Sequence, residues 1–289
     1  MTNENYAKQG YLLEDFRLFH LKGAAGIRTE YHYHEFCKLL LLISGNGNYW
    51  IEGKCYALQP GDAVLVGSGC VHRPEFDPGS PYERVIIYIS PEFLRRNSAT
   101  DCDLTDIFSG RLGHVLRPAP GDRRLLNMAQ VLEQELSADD YGRVILGTGL
   151  LLSLLVQLGR QLRQDDPLRP GPGRTGDPRV GRIIRYIDDH LSQELNMDLL
   201  AEQVYMSKFH MMRLFRAGTG LSINTYITQR RLLLAKELMA GGISATESCF
   251  RCGFGSYSSF TRSYGKFFGV TPTGRKYGAA LPADEMAQE

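Results

Sequence analysis

The chain has 289 residues, enough for two domains, and its 43% hydrophobic and 22% charged residues are ordinary for a soluble globular protein. The formal net charge of +1 gives no sign of a nucleic-acid partner, but its distribution does. Residues 179–280 carry 14 Lys and Arg against seven Asp and Glu, whereas residues 1–178 carry 19 against 22, the asymmetry expected of a DNA-binding module joined to something else.

The opening MTNENYAKQG is polar and reads as no signal peptide. Cys37, Cys55, Cys70, Cys102, Cys249 and Cys252 show no disulfide framework, so a reduced, cytoplasmic compartment is expected.

Residues 26–90 read as β structure. KLLLLISGNGNYWIEGKCYAL predicts two short strands around a turn at Gly45. LQPGDAVLVGSG predicts another, entered through Pro60, Gly61 and Asp62, and YERVIIYIS a further one, rich in β-branched and aromatic residues. Strands this short and closely spaced predict a small antiparallel barrel or sandwich. In YHYHEFCK, residues 31–38, two histidines stand one residue apart. A His-x-His pair on a strand presents both imidazoles on one face, which suits a metal ion.

Residues 121–163 switch to helical spacing. RRLLNMAQVLEQEL places Leu125, Met128, Leu132 and Leu136 on one stripe. The following helix contains the most apolar run of the chain, VILGTGLLLSLLVQL, residues 144–158. At about 15 residues that run is short for a membrane span, and an apolar surface on more than one side predicts a buried or dimer-forming helix. DDPLRPGPGRTGDP, residues 165–178, holds four prolines and three glycines, a composition that supports neither helix nor strand. It reads as a flexible linker between a domain over 1–164 and a second over 179–280, with 281–289 as a tail.

The second domain is predicted helical throughout. RVGRIIRYIDDHLSQEL aligns Val180, Ile183, Ile184, Ile187 and Leu191 on one face. Two short helices follow, parted near Met206 and Ser207, then a longer one ended by Gly241 and Gly242, and another before Pro272.

One unit in this domain occurs twice. SKFHMMRLFRAGTGLS, residues 207–222, overlays SYSSFTRSYGKFFGVT, residues 256–271, at an offset of 49 without a gap. Ser207 meets Ser256, Met211 and Phe215 meet Phe260 and Tyr264, Arg213 meets Arg262, and Gly220 meets Gly269. Each serine is placed to N-cap a helix, and the apolar residues four and eight positions on face inward. The opposite face then carries Phe209, Met212, Arg213 and Arg216 in one copy and Ser258, Thr261, Arg262 and Gly265 in the other. A short capped helix with arginine on its exposed face, after a short helix and a tight turn, is a helix-turn-helix. Two of them on one connector, residues 223–240, suit successive major-groove segments roughly 34 Å apart. Arg213 and Arg262 are the best candidates for base edges, and the capping serines for phosphate.

With these residues the chain resembles the AraC-type transcription regulators, most strongly over 179–273. The resemblance implies two helix-turn-helix motifs, binding to double-stranded promoter DNA, and contact with RNA polymerase during activation. It places recognition positions at Lys208, Phe209, Met212 and Arg213, and at Tyr257, Ser258, Thr261 and Arg262. The chain departs from the family pattern at Ala245, Ser248 and Cys249, where aliphatic residues and Ala are usual. That predicts weaker packing under the second recognition helix. It departs again at Arg275 and Lys276, where an aromatic-Arg pair is usual, and at Phe209 and Met212, which are apolar where polar readers are common. Cys249 and Cys252, lacking a second ligand pair, read as packing.

The β region is similar to the cupin-type sensor domain of these regulators. Metal-binding cupins draw ligands from His-x-His, a Glu about four residues on, and a later His. Here His32, His34 and His72 stand in the histidine positions, but position 38 is Lys, whose ammonium opposes a divalent cation. An effector pocket lined by His32, His34, Lys38, Trp50 and His72, with no metal and no cofactor, is the reading adopted. Ordinary strand histidines, and a zinc site of His32, His34 and His72, are the alternatives.

The expectation is therefore a multidomain α+β protein: a cupin-like β-barrel with dimerisation helices, then an all-α double helix-turn-helix. It is a homodimeric transcription regulator, an activator, governed by a small-molecule effector such as a sugar or carboxylate. No motif argues for catalysis or for a membrane partner. A cupin metalloenzyme fused to a DNA-binding domain and a ligand-independent DNA binder are the competing readings.

Overall fold

The structure is a computed structural model that describes residues 12–23, 29, 31–76, 81–164, 174–175 and 177–274. The 281–289 tail, the Arg275-Lys276 pair and most of the 165–178 linker lie outside the described residues. The chain divides into two compact units, residues 1–176 and 177–289.

The first unit contains β1 (Phe16–Gly23), β2 (Cys37–Ser44), β3 (Gly47–Ile51), β4 (Lys54–Leu58), β5 (Ala63–Val66), β6 (His72–Phe76), β7 (Tyr82–Ile89), β8 (Val115–Leu116) and β9 (Arg174–Thr175). They form two antiparallel sheets, ordered β1-β7-β2-β5-β8 and β6-β3-β4-β9. Between the sheets, Leu40, Leu42, Val64 and Ile86 meet Tyr49, Ile51, Tyr56 and Phe76. The alternate residues of the first sheet, Leu39, Leu41, Leu65 and Ile87, point the other way and are covered by helices. Burial on both faces is why β2 reads as an unbroken apolar run.

Those covering helices are α2 (Arg124–Ser137) and α3 (Arg143–Arg163). The predicted α2 stripe holds: Leu125 and Leu132 are buried, with Met128 and Leu136 packed beside them. Helix α3 is 21 residues, longer than its apolar run, and by length and composition is long and apolar enough to cross a membrane. Leu151, Leu154, Leu155 and Leu158 bury that apolar side in the cluster under the first sheet.

Several elements differ from expectation. The stretch expected to hold two strands around Gly45 holds three, because Glu52 and Gly53 form a second turn with φ of 49° and 72°. Consecutive left-handed residues make the tight hairpin that matches strand twist. Strand β6 contains Pro74, a strand breaker in a sheet centre, tolerated here at the sheet edge. Strand β1 starts ahead of residue 26, and α1 (Pro91–Arg96) and a 3-10 turn (Leu104–Phe108) follow β7 unanticipated. Arg174 and Thr175, in the proline-glycine stretch, pair with Tyr56 and Cys55 as a two-residue strand. Two residues on a sheet edge need no propensity of their own beyond the ladder they join.

The second unit contains α4 (Pro178–Asp189), α5 (Met197–Gln203), α6 (Lys208–Thr219), α7 (Ile223–Ala240), α8 (Ala245–Arg251) and α9 (Tyr257–Phe268). Asp177 caps α4 by accepting from the Arg179 N–H, and Pro178 occupies the first helical position, where no N–H is needed. The predicted face of Val180, Ile183, Ile184, Ile187 and Leu191 is buried. Helix α7 is tied to the α4 side by Arg230 on Asp188 at 3.0 Å, and by Arg231 donating to the carbonyls of Leu191 and Gln193.

Candidate functional site

The duplicated unit closes in the same way twice. The Ser207 hydroxyl accepts from the His210 N–H at 3.3 Å, and the Ser256 hydroxyl from the Ser259 N–H at 3.3 Å. Met211 and Phe215 are buried in α6, as are Phe260 and Tyr264 in α9. Gly220 and Gly269 end the two helices in the left-handed region, with φ of 76° and 73°. The turns ahead of the helices differ by one residue. The left-handed position is Tyr205, φ 54°, two before its cap, and Gly253, φ 86°, three before its cap.

In α6 the expected face is open: Lys208, Arg213 and Arg216 are exposed, Phe209 is 76% exposed and Met212 41%. The Arg213 guanidinium lies 6.0 Å from the Phe209 ring centroid and 3.4 Å from the His210 Nδ1. Lys208 pairs with Asp198 of α5 at 3.1 Å. In α9, Ser256, Ser258 and Arg262 are exposed, Tyr257 and Thr261 half-buried, and Gly265 buried. Gly265 therefore leaves the expected face. With the apolar ridge wider than two positions, the ninth residue after the cap turns inward.

In the first unit, the structure brings His32, His34 and His72 together. Their ligand nitrogens all lie within 4.8 Å of one another, and all three residues are buried. Backbone hydrogen bonds set this up. His32 and His72 exchange N–H and carbonyl at 3.0 and 2.9 Å, carrying the chain from the edge of the second sheet towards β2 of the first, and the Gly69 N–H donates to the His34 carbonyl at 2.7 Å. The His72 Nδ1 lies 3.0 Å from the Cys70 carbonyl oxygen. A carbonyl only accepts, so Nδ1 carries the proton and Nε2 keeps its lone pair. Burial, then the neighbouring His32, His34 and Lys38, hold the His72 pKa well below the usual histidine range, so this ring is neutral at pH 7.

Aromatic rings frame the cluster. Phe36 stacks on His34 at 4.5 Å and Tyr49 lies parallel to His72 at 5.9 Å. Lys38 is buried on the same inner face as Leu40 and Leu42, its Nζ 5.7 Å from the Tyr88 ring centroid. Trp50 does not join them. Tyr49 and Ile51 point into the core, so the intervening Trp50 lies on the outer face of its sheet, beside Arg73 at 5.5 Å. Sequence reasoning missed Tyr49, Tyr88 and the buried Arg84, which shares the inner face opposite Leu42. Counting alternate residues out from Leu40 finds Tyr88 and Arg84 once the β2–β7 register is known.

Residues 18–151 match the AraC-like ligand binding domain, and residues 200–275 a helix-turn-helix domain. The chain belongs to the AraC-type transcription regulators. It is 25% identical over 248 residues to the probable transcriptional regulator LumQ of Photobacterium leiognathi, a match covering 84% of this chain and 90% of that one. It is 31% identical over 146 residues to the regulatory protein PocR of Salmonella typhimurium, covering 46% and 48%. It is 22% identical over 248 residues to the transcriptional activator RhaS of Escherichia coli, covering 83% and 85%.

This AraC-type regulator thus pairs a ligand-binding unit with a DNA-binding unit. Its departures around α8 have a structural counterpart. Ser248, Cys249 and Cys252 are fully buried, the cysteines in one cluster with Phe260 and Tyr264. The Ser248 hydroxyl finds no hydrogen-bond partner among the described residues, an unfavourable fit where an aliphatic side chain is usual. Burial, with Cys249 adding to it, pushes the Cys252 thiol up to about 12, so it stays protonated and unreactive.

Proposed function

We propose that this regulator binds promoter DNA through α6 and α9 and activates transcription in response to a small molecule held between the two sheets. The observation that carries the DNA reading is the duplicated, serine-capped helix with an arginine at the same position, Arg213 and Arg262. Phosphate contacts fall to Ser207, Lys208, Arg216 and Ser256, and base contacts to Phe209, Met212, Arg213, Tyr257, Ser258, Thr261 and Arg262. Phe209 and Met212, apolar and exposed, suit thymine methyl groups. The similarity to RhaS, a transcriptional activator along most of its length, supports the positive sign and a contact with RNA polymerase.

The effector site is the inner face carrying His32, His34, Lys38 and His72, without Trp50. Imidazoles and an ammonium among aromatic rings suit a polar or anionic small molecule. The protein acts as a cytoplasmic homodimer through α2 and α3, whose exposed Val131, Val144 and Ile145 give an apolar surface for a second copy. Binding of effector changes how the dimer presents its DNA-binding units, and occupancy follows. The test is a gel-shift and reporter assay of the full chain. Alanine at both Arg213 and Arg262 is expected to abolish promoter binding, and retained binding overturns the reading.

A further inference from the structure

We propose that Arg84 anchors a carboxylate-bearing small molecule between the two sheets, at the end of the inner face away from the histidines. The proposal deepens the effector reading above, on which it rests, and chooses a carboxylate over a neutral sugar. Arg84 stands opposite Leu42, four residues along β2 from Lys38, a distance of roughly 13 Å along the strand.

The first observation is an uncompensated charge. Arg84 is 2% exposed, its Nε is buried without a hydrogen-bond partner, and no carboxylate pairs with it among the described residues. A guanidinium does not shed its proton in a protein, so the charge stays, and a buried charge without a partner is strongly unfavourable. The buried carboxylates of this unit are engaged elsewhere. Glu52 accepts from the Val71 N–H at 2.8 Å, and Asp62 accepts two bonds from Arg117, at 2.8 and 2.7 Å. The second observation is the cradle around that charge. The Arg84 Cζ lies 5.3 Å from the ring centroids of both Phe76 and Tyr82, and those rings stack at 5.1 Å with 17° between their planes. Glycines make room for the rings. A Cβ on Gly47 would meet the Phe76 Cδ1 at 2.8 Å, one on Gly45 would meet the Tyr82 Cβ at 2.7 Å, and one on Gly23 would overlap the Tyr82 ring. The rings attract the guanidinium but carry no net charge, so they fix the cation without neutralising it.

The class of ligand follows from the same groups. A guanidinium presents paired N–H donors in a planar fork that matches a carboxylate with two parallel hydrogen bonds. Its neighbours across the strands, Leu21 and Leu42, are apolar and offer nothing to the hydroxyls of a sugar. A phosphate monoester would bring close to a second charge into the same apolar surroundings. A monocarboxylate with an apolar body fits both demands, its anion on Arg84 and its body against the aliphatic side chains of the inner face.

The test measures the melting temperature and the calorimetric binding of the full chain with sodium butyrate and sodium benzoate. Butyramide, benzamide and glucose at matched ionic strength are the comparisons. The carboxylates are expected to bind and to raise the melting temperature, and the amides, which keep the shape but lose the charge, are not. Arg84→Met is expected to weaken carboxylate binding at least ~30-fold, and Arg84→Lys, which keeps the charge but loses the fork, about tenfold. Circular dichroism checks that the variants fold. Should Arg84→Met not fold, Arg84→Lys and the comparison of acid with amide on the native chain decide the matter. No protection by either carboxylate, equal protection by the amides, or an affinity unchanged in the Arg84 variants overturns the site. If glucose alone protects, or the carboxylates bind without Arg84, the effector reading stands and only the arginine site falls.

Discussion

Ser207 and Ser256 stand 49 residues apart and make the same hydrogen bond, each to the backbone N–H three residues on, at 3.3 Å. Loss of either cap is expected to cost about 1 kcal/mol. In the proposed reading the serines differ from a purely structural cap in also facing the DNA. Ser256→Asp is therefore expected to keep the stability that Ser256→Ala loses, since aspartate caps equally well, yet to weaken promoter binding by charge repulsion. Urea unfolding and gel-shift assays on the two variants separate these effects. Equal DNA affinity in the Asp and Ala variants would place Ser256 away from phosphate.

Arg213 and Arg216 sit on the same face of α6 but are assigned different work. Arg213→Ala is expected to cost about 1–3 kcal/mol and to relax the preference at one base pair. Arg216→Ala is expected to weaken all sequences alike and to lower the salt dependence of binding by about one ion. Selection of binding sites from a random pool reads the first, and binding at several salt concentrations the second. A uniform loss for Arg213→Ala moves it to the phosphate class.

The two left-handed turn positions make opposite demands. A methyl group on Gly253 meets the Leu191 carbonyl at 2.8 Å, at a φ of 86° that side chains resist. Gly253→Ala is expected to destabilise the DNA-binding unit by about 1–2 kcal/mol or more. Tyr205 already bears that backbone cost, is 90% exposed, and is expected to tolerate glycine with little change in stability. Thermal unfolding of both variants checks the contrast, and equal losses would refute it.

Ser248→Ala is expected to stabilise the chain by about 1–2 kcal/mol, because it removes a buried hydroxyl that finds no partner among the described residues. The measurement is the urea midpoint. A lower midpoint means that the hydroxyl is satisfied after all.

Asp177 gives a pH dependence. Its hydrogen bond from the Arg179 guanidinium lowers its pKa from 3.8 to about 2. The folded value lies below the unfolded one, so the stabilisation is complete above the unfolded pKa and is lost as pH falls through the folded value. Asp177→Asn keeps a capping oxygen without the charge. The stability gap between the native chain and this variant is expected to shrink as pH drops from about 5 to 2. A constant gap contradicts it.

The helical half was legible because its signals are local. Caps, an inward ridge and terminal glycines lie within one helix, and their repetition at one offset left little else to fit. What failed there was angular detail, as at Gly265, where the width of the buried ridge depends on packing partners. The β half depends on register, which is not local. His32 and His34 were found from their spacing, and His72 from the resemblance to the cupin-type sensor domain. Trp50 was put on the wrong face because its side depends on the Glu52-Gly53 turn, which fixes Tyr49 and Ile51 as the inward residues. Strand β6 was hidden by Pro74, a breaker anywhere except at an edge. Arg84 and Tyr88 become visible only through their pairing with Leu42 and Lys38.

The most direct test of the account is a hydroxyl-radical footprint of the full chain on its selected binding site, repeated with Arg213→Ala and Arg262→Ala. Two protected segments are expected, about one helical turn apart, with each substitution erasing a different one. A single protected segment that survives the loss of Arg262 would contradict DNA reading by both copies of the duplicated helix.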